Sequence, residues 1–179
     1  DTINVNVTDS TNVTLGDEGA NLLISTGETA TINAAAADDD KVLTLTGAGS
    51  AVVTGLVADI DADGGSVDGT TQSALAGTLN VTTDTVDTGA NTIAIATGTN
   101  DTTVVASDAA DTVNINAEAM ADDTELTLSG AADVVATNVM ADVTSTLSGR
   151  LTVTLDDDDL ANVSTTVSSS GALGRAVVN

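Results

Sequence analysis

The chain has 179 residues and contains no Phe, Trp, Tyr, Pro, His or Cys; 27 acidic residues face 3 basic ones, for a net charge of −24. That balance excludes nucleic-acid binding, which needs Lys and Arg against phosphates, and disfavours an anionic membrane surface. The missing aromatic rings, which supply the largest buried areas in most cores, exclude a thick globular interior.

Disorder does not follow, because 41% of the residues are hydrophobic and disordered chains are poor in such residues. The composition describes an ordered acidic protein with a thin core of Val, Leu, Ile and Ala, and with metal cations as its natural counter-ions. No segment approaches the roughly 18 consecutive apolar residues of a membrane span. No basic-then-apolar leader pattern opens the chain. It begins at Asp1 rather than at Met, as a processed product or a fragment would.

Short runs rich in Val, Ile, Leu and Thr recur along the chain. In order they are INVNV (3–7), NVTL (12–15), LLIS (22–25), VLTLT (42–46), AVVT (51–54) and LNVTT (79–83). TIAIA (92–96), TVVAS (103–107), VNINA (113–117), ELTLS (125–129) and LTVTL (151–155) follow. Most alternate apolar residues with Thr, Asn or Ala, the period of a strand with one buried face. Gly, Asp, Asn and Ser, the turn formers, lie between them. The alanine-rich stretches 34–37 and 117–121 are too short for a stable helix and predict at most a helical turn.

The runs form a tandem repeat. LTLTGAGSAVVTGLVADI from Leu43 returns as LTLSGAADVVATNVMADV from Leu126, and INAAAADDD from Ile32 returns as INAEAMADD from Ile115, both at an offset of 83 residues. Downstream, LAGTLNVTTD from Leu75 matches LSGRLTVTLD from Leu147 at an offset of 72, so the first copy carries about ten extra residues near 61–72. The implied organisation is the end of a preceding repeat at 1–15, copy one at 16–97, copy two at 98–170, and the start of a third at 171–179. A third start followed by an abrupt stop reads as a piece of a longer array.

The predicted fold is all-β: a parallel β-solenoid of roughly 20 residues per coil with stacked side-chain ladders. Nine such coils, about 4.8 Å apart, would make a rod near 40 Å long with unpaired strand edges at its ends. The alternative is a string of immunoglobulin-like β-sandwiches, each about one repeat long. Sandwich cores commonly use a large aromatic residue, which this chain lacks.

The sharpest local feature is DIDADGGSVDG, 59–69. Asp59, Asp61 and Asp63 alternate ahead of Gly64, and Asp68 stands four residues later. Ca²⁺ takes six to eight oxygen ligands from a tight glycine-containing loop, so these four aspartates form the candidate metal site. Thr70 occupies the place of the usual closing Glu, and a solvated acidic turn accounts for the same residues without a metal. The runs Asp38–Asp40 and Asp156–Asp159 predict solvated faces. Five N-x-Ser/Thr sequons, at Asn6, Asn12, Asn80, Asn100 and Asn162, are what a chain this rich in Thr and Ser would contain by chance.

LTLTGAGSAVVTGLVADIDA, followed by LAGTLNVTTD and then NTIAIATG, resembles the very long β-strand-repeat proteins of Gram-negative bacteria. Those are related to RTX-type surface proteins exported by type I secretion, and the texture is similar to the solenoid part of RTX-related S-layer proteins. The resemblance implies a calcium-supported β-solenoid outside the cell, in a surface layer, filament or adhesive stalk. It also implies calcium ligands in Gly/Asp turns, of which only Asp59, Asp61, Asp63 and Asp68 match here.

Without His, Cys or Tyr, acid–base and nucleophilic chemistry would fall to carboxylates, hydroxyls or Lys41, and an enzyme is not expected. The expected function is a structural repeat segment of a secreted cell-surface assembly that associates with itself while cations neutralise its surface. The alternative is the stalk or binding region of a large adhesin, with a cell-surface glycan as partner.

Overall fold

The computed structural model describes residues 2–67, 70–85, 89–156, 167–169 and 176–178. Asp68, Asp157–Asp159, Asn162 and most of the third-copy start lie outside the described residues. The described chain has no helix, and alternates between two parallel sheets.

The strands run β1 (Thr2–Val7), β2 (Thr11–Thr14), β3 (Gly19–Ile24), β4 (Thr29–Asn33), β5 (Val42–Gly47), β6 (Ser50–Leu56) and β7 (Asp59–Asp61). A two-stranded excursion follows, β8 (Gly64–Val67) and β9 (Thr70–Ser73). The coils then resume with β10 (Leu79–Thr83), β11 (Thr92–Ala96), β12 (Thr102–Ala106), β13 (Thr112–Asn116) and β14 (Glu125–Gly130). Last come β15 (Asp133–Val139), β16 (Asp142–Ser145), β17 (Leu151–Leu155), β18 (Val167–Ser169) and β19 (Ala176–Val178).

One sheet has the order β1-β3-β5-β7-β11-β13-β15-β17-β19; the other runs β2-β4-β6-β10-β12-β14-β16-β18. Every described strand pairing within either sheet is parallel; the β8–β9 hairpin and the single Thr46–Ala74 bridge beside it are antiparallel. The fold is a β-solenoid of stacked two-strand coils, not a string of sandwiches.

The alternating sequence explains the packing. Inward positions stack into aliphatic ladders: Ile3, Ala20, Leu43, Ile60, Ile95, Ile115, Ala136 and Val153 are successive register partners on the first sheet. On the second sheet, Val13, Ile32, Val53, Val81, Val104 and Leu128 do the same. Alanine is a core residue here, with Ala20, Ala30, Ala51 and Ala136 fully buried. Two sheets facing each other this closely leave little depth for anything larger than Leu or Met. The alanine-rich stretches are single turns, closed by Ala37 N–H donating to Ala34 O (3.1 Å) and Met120 N–H to Ala117 O (3.0 Å).

The 83-residue repeat has a structural consequence. β13 is the seventh solenoid strand after β4, an odd number of steps, so the two copies occupy opposite sheets. Ile32 lies in the second sheet and its counterpart Ile115 in the first. One repeat is therefore three and a half coils, and the next is turned by half a revolution about the axis and raised by roughly 17 Å, at ~4.8 Å per coil.

Backbone details follow that operation. Ala34 N–H donates to Thr54 O as Ala117 N–H does to Thr137 O, and Asp84 N–H donates to Leu56 O as Asp156 N–H does to Val139 O. Gly47 (φ 99°) corresponds to Gly130 (φ 111°), and a Cβ on either would strike a carbonyl of the preceding coil, Ile24 O or Ala106 O. Gly55 (φ 66°) corresponds to Asn138 (φ 55°), and each sits at the register shift of a β-bulge. Left-handed φ suits Gly and is tolerated by Asn.

The extra residues of the first copy are the β8–β9 hairpin. β7 stops after Asp61, the chain leaves the coil and returns, and Ala74 bridges antiparallel to Thr46 where β7 would have continued. Ala62 N–H still donates to Ala96 O (3.0 Å) and Leu75 N–H to Ala62 O (2.9 Å), closing the coil across the hairpin base.

Candidate functional site

Acidic residues concentrate in the turns, and Asp38, Asp39 and Asp40 are all exposed, as a solvated run should be. The sheet faces are built differently. Across the outside of the second sheet, the successive register partners Asn12, Thr31, Val52, Asn80, Thr103, Thr127 and Thr144 carry no charge. Thr is favoured on such a pleated, half-exposed surface. On the first sheet the matching rank is Asn4, Asn21, Thr44, Asp61, Ala96, Asn116 and Thr137. Asp61 and its strand neighbour Asp59 thus place carboxylates in two register ranks that are otherwise neutral.

Asp59 and Asp61 point outward because Ile60 between them is buried. Two residues along a strand separate them by roughly 6.6 Å. Asp59 Oδ1 accepts the Ala94 N–H at 2.7 Å, taking the place of a ladder bond where β7 is short. Asp61 is half-buried, and its Oδ1 is fully shielded without a hydrogen-bond partner. Burial pushes the Asp61 carboxyl up to about 6, and a hydrogen bond with Asp63 and that residue's negative charge act in the same direction. Asp63, at the base of the hairpin, is exposed.

Of the four predicted metal ligands, the structure thus brings Asp61 and Asp63 together and ties Asp59 to the backbone, while Asp68 lies outside the described residues. Among the described residues, no three acidic side chains converge on a point where they could hold a metal ion.

Sequence reasoning missed what faces Asp59 and Asp61. β11 carries Ala94 and Ala96 in register with them, and the next strand carries Asn114 and Asn116. The two alanine methyls leave an open depression of about 410 Å³ between the aspartates and the asparagines, with Val42 and Thr137 at its ends. Thr137 Oγ1 donates to Ile115 O (3.2 Å). Asn116 Oδ1 accepts from Asn138 Nδ2 (2.9 Å) and from the Glu118 N–H (3.3 Å), which fixes that carboxamide with its Oδ1 occupied. The only sequence signal was TIAIA, where small residues stand at outward positions that elsewhere hold Thr or Asn.

Three of the sequons, at Asn6, Asn12 and Asn100, have exposed asparagines; Asn80 is half-buried. No helix among the described residues is long and apolar enough to cross a membrane. Comparison with protein families, curated proteins and solved structures finds no match to this chain.

Proposed function

We propose that this chain is a structural repeat segment of a secreted, cell-surface assembly, a surface layer or extracellular filament, and that it associates with itself by stacking solenoid coils. The observation that supports this is the face that a coil presents where no further coil covers it. Ile3 is 52% exposed although its register partners Ala20 and Leu43 are at most 1% exposed. Val5 and Val13 on the same coil are only partly buried. A coil left uncovered thus shows aliphatic side chains and strand-edge backbone groups to water, and another coil of the same cross-section would satisfy both. Divalent cations, Ca²⁺ foremost, are proposed to neutralise the acidic turns that would otherwise repel between neighbouring rods.

Sedimentation velocity and electron microscopy of the purified chain, with Ca²⁺ and with EDTA, test this proposal. Elongated oligomers are expected for the chain as given, and monomers for an Ile3→Lys/Val5→Lys variant that charges the aliphatic positions of β1. A native chain that stays monomeric with and without Ca²⁺ would overturn the stacking proposal.

A further inference from the structure

We propose that the depression floored by Ala94 and Ala96 on the face of the first sheet is a saccharide-binding groove. Its chemistry is mixed in a particular way. On one wall stand two carboxylates, Asp59 and Asp61; one oxygen of each is closed to a ligand, since Asp59 Oδ1 accepts the Ala94 N–H and Asp61 Oδ1 is shielded, which leaves one acceptor on each. On the opposite wall stand two carboxamides, Asn114, which is exposed, and Asn116, whose Oδ1 is already occupied. The floor between them is two methyl groups.

A ligand that satisfies this surface must bring hydroxyl donors to the carboxylates and acceptor oxygens to the carboxamide NH₂ groups. It must also present a flat C–H face to the alanines. A pyranose ring does all three.

Other classes fit less well. An anion meets two carboxylates. An apolar ligand would strip water from the exposed Asn114 carboxamide without giving it a partner, which is costly. Ca²⁺ needs six to eight oxygens, and the two carboxylates here lie two residues apart on an extended strand, one of them held by a backbone N–H. An alkylammonium would suit the aspartates but would point its charge at the carboxamide NH₂ donors.

The groove is specific to the first copy. Half a revolution on, Asp61 is replaced by Thr144, and no alanine pair follows in register: Thr144 pairs onward with Ser168. Such an open site without aromatic stacking should bind in the roughly millimolar range. It does not depend on coil stacking, since both of its walls lie within one chain.

The test is an amide-resolved NMR titration of the full chain with methyl glycosides of glucose, galactose, mannose and N-acetylglucosamine, with butylamine and Ca²⁺ run separately. At least one glycoside is expected to give saturable shifts centred on Asp59, Ala94, Ala96, Asn114 and Asn116. Asn114→Ala should weaken that binding about tenfold, the loss of roughly one hydrogen bond. Ala96→Leu, which fills the floor from an outward-facing position, should abolish it while the rest of the spectrum stays native. Asn80→Ala on the other sheet should change nothing. The proposal fails if no glycoside shifts these amides, if the shifts persist in Ala96→Leu, or if only butylamine or Ca²⁺ produces them.

Discussion

The two repeat copies share a backbone plan and differ on their surfaces. Gly47 and Gly130, the bulges at Gly55 and Asn138, and the turn hydrogen bonds after Asn33 and Asn116 all recur on opposite sheets. By contrast, Asp61 gives way to Thr144, Ser50 to Asp133, and the β8–β9 hairpin has no counterpart before β17. Where Ser50 Oγ accepts the Thr78 N–H, Asp133 Oδ1 accepts the Arg150 N–H at the same place in the coil, and Arg150 also pairs with Asp133 through its side chain. The backbone job is kept while the chemistry of the group performing it changes. A solenoid tolerates this because each coil needs only its inward ladder and its tight turns; its outward positions are free to carry a groove in one copy and none in the next.

This comparison can be attacked first through the ladders. Ile32→Ala and Ile115→Ala remove equivalent buried side chains on opposite sheets, and each should cost about 2–5 kcal/mol in chemical denaturation. Costs differing by more than that whole range would mean the two sites are not equivalent. Next come the tight turns. Gly47→Ala and Gly130→Ala combine a left-handed φ with a carbonyl in the way of the new methyl, and each should lose about 2–4 kcal/mol. Gly16→Ala, where nothing lies within 4 Å, should be close to neutral.

The Asp61 carboxyl separates the copies by pH. With its folded pKa raised to about 6, the native state holds a proton that the unfolded chain has released, between about pH 4 and 6. Its contribution therefore favours folding below about pH 4 and is lost as pH rises through 6. Because the carboxyl is only half-buried, the change is on the order of 1 kcal/mol after discounting for screening. Asp61→Asn should remove this part of the pH profile, and Asp142→Asn, at the site equivalent to Asp59, should leave it in place. The smallest effect concerns the bulge: Asn138→Gly relieves the left-handed φ but removes the Asn138 Nδ2–Asn116 Oδ1 hydrogen bond, so chemical denaturation should show a net change within about 1 kcal/mol.

Most of the fold was legible in the sequence because its strands advertise themselves. All eleven runs picked out by alternation fall on strands. Those overlooked had physical reasons to be quiet. β4, TATIN, fills the core with Ala30, and alanine carries little apolar signal. In β15 the bulge at Asn138 breaks the alternation. β7 and β16 are short and begin with Asp, and the hairpin segment looks like one long turn. Those omissions hid the half-revolution, because an offset of 83 says that strands recur but not whether an odd or even number lies between them. At the candidate site, the Asp59–Asp63 run was visible, but its neighbours Ala94, Asn114 and Asn116 are brought beside it only by coil stacking.

The half-revolution is tested most directly by deleting one repeat, residues 33–115, so that Ile32 is followed by Asn116. β14 would then sit over β3 in the first sheet, as β5 does now, and β15 over β4 in the second, so every strand after the junction would change sheets without losing a ladder partner. Circular dichroism with thermal melting, joined to small-angle scattering, should show a shorter β-rich rod that still unfolds cooperatively, with a lower Tm. A chain that loses its β signal, or melts without a transition, would contradict the equivalence of the two faces.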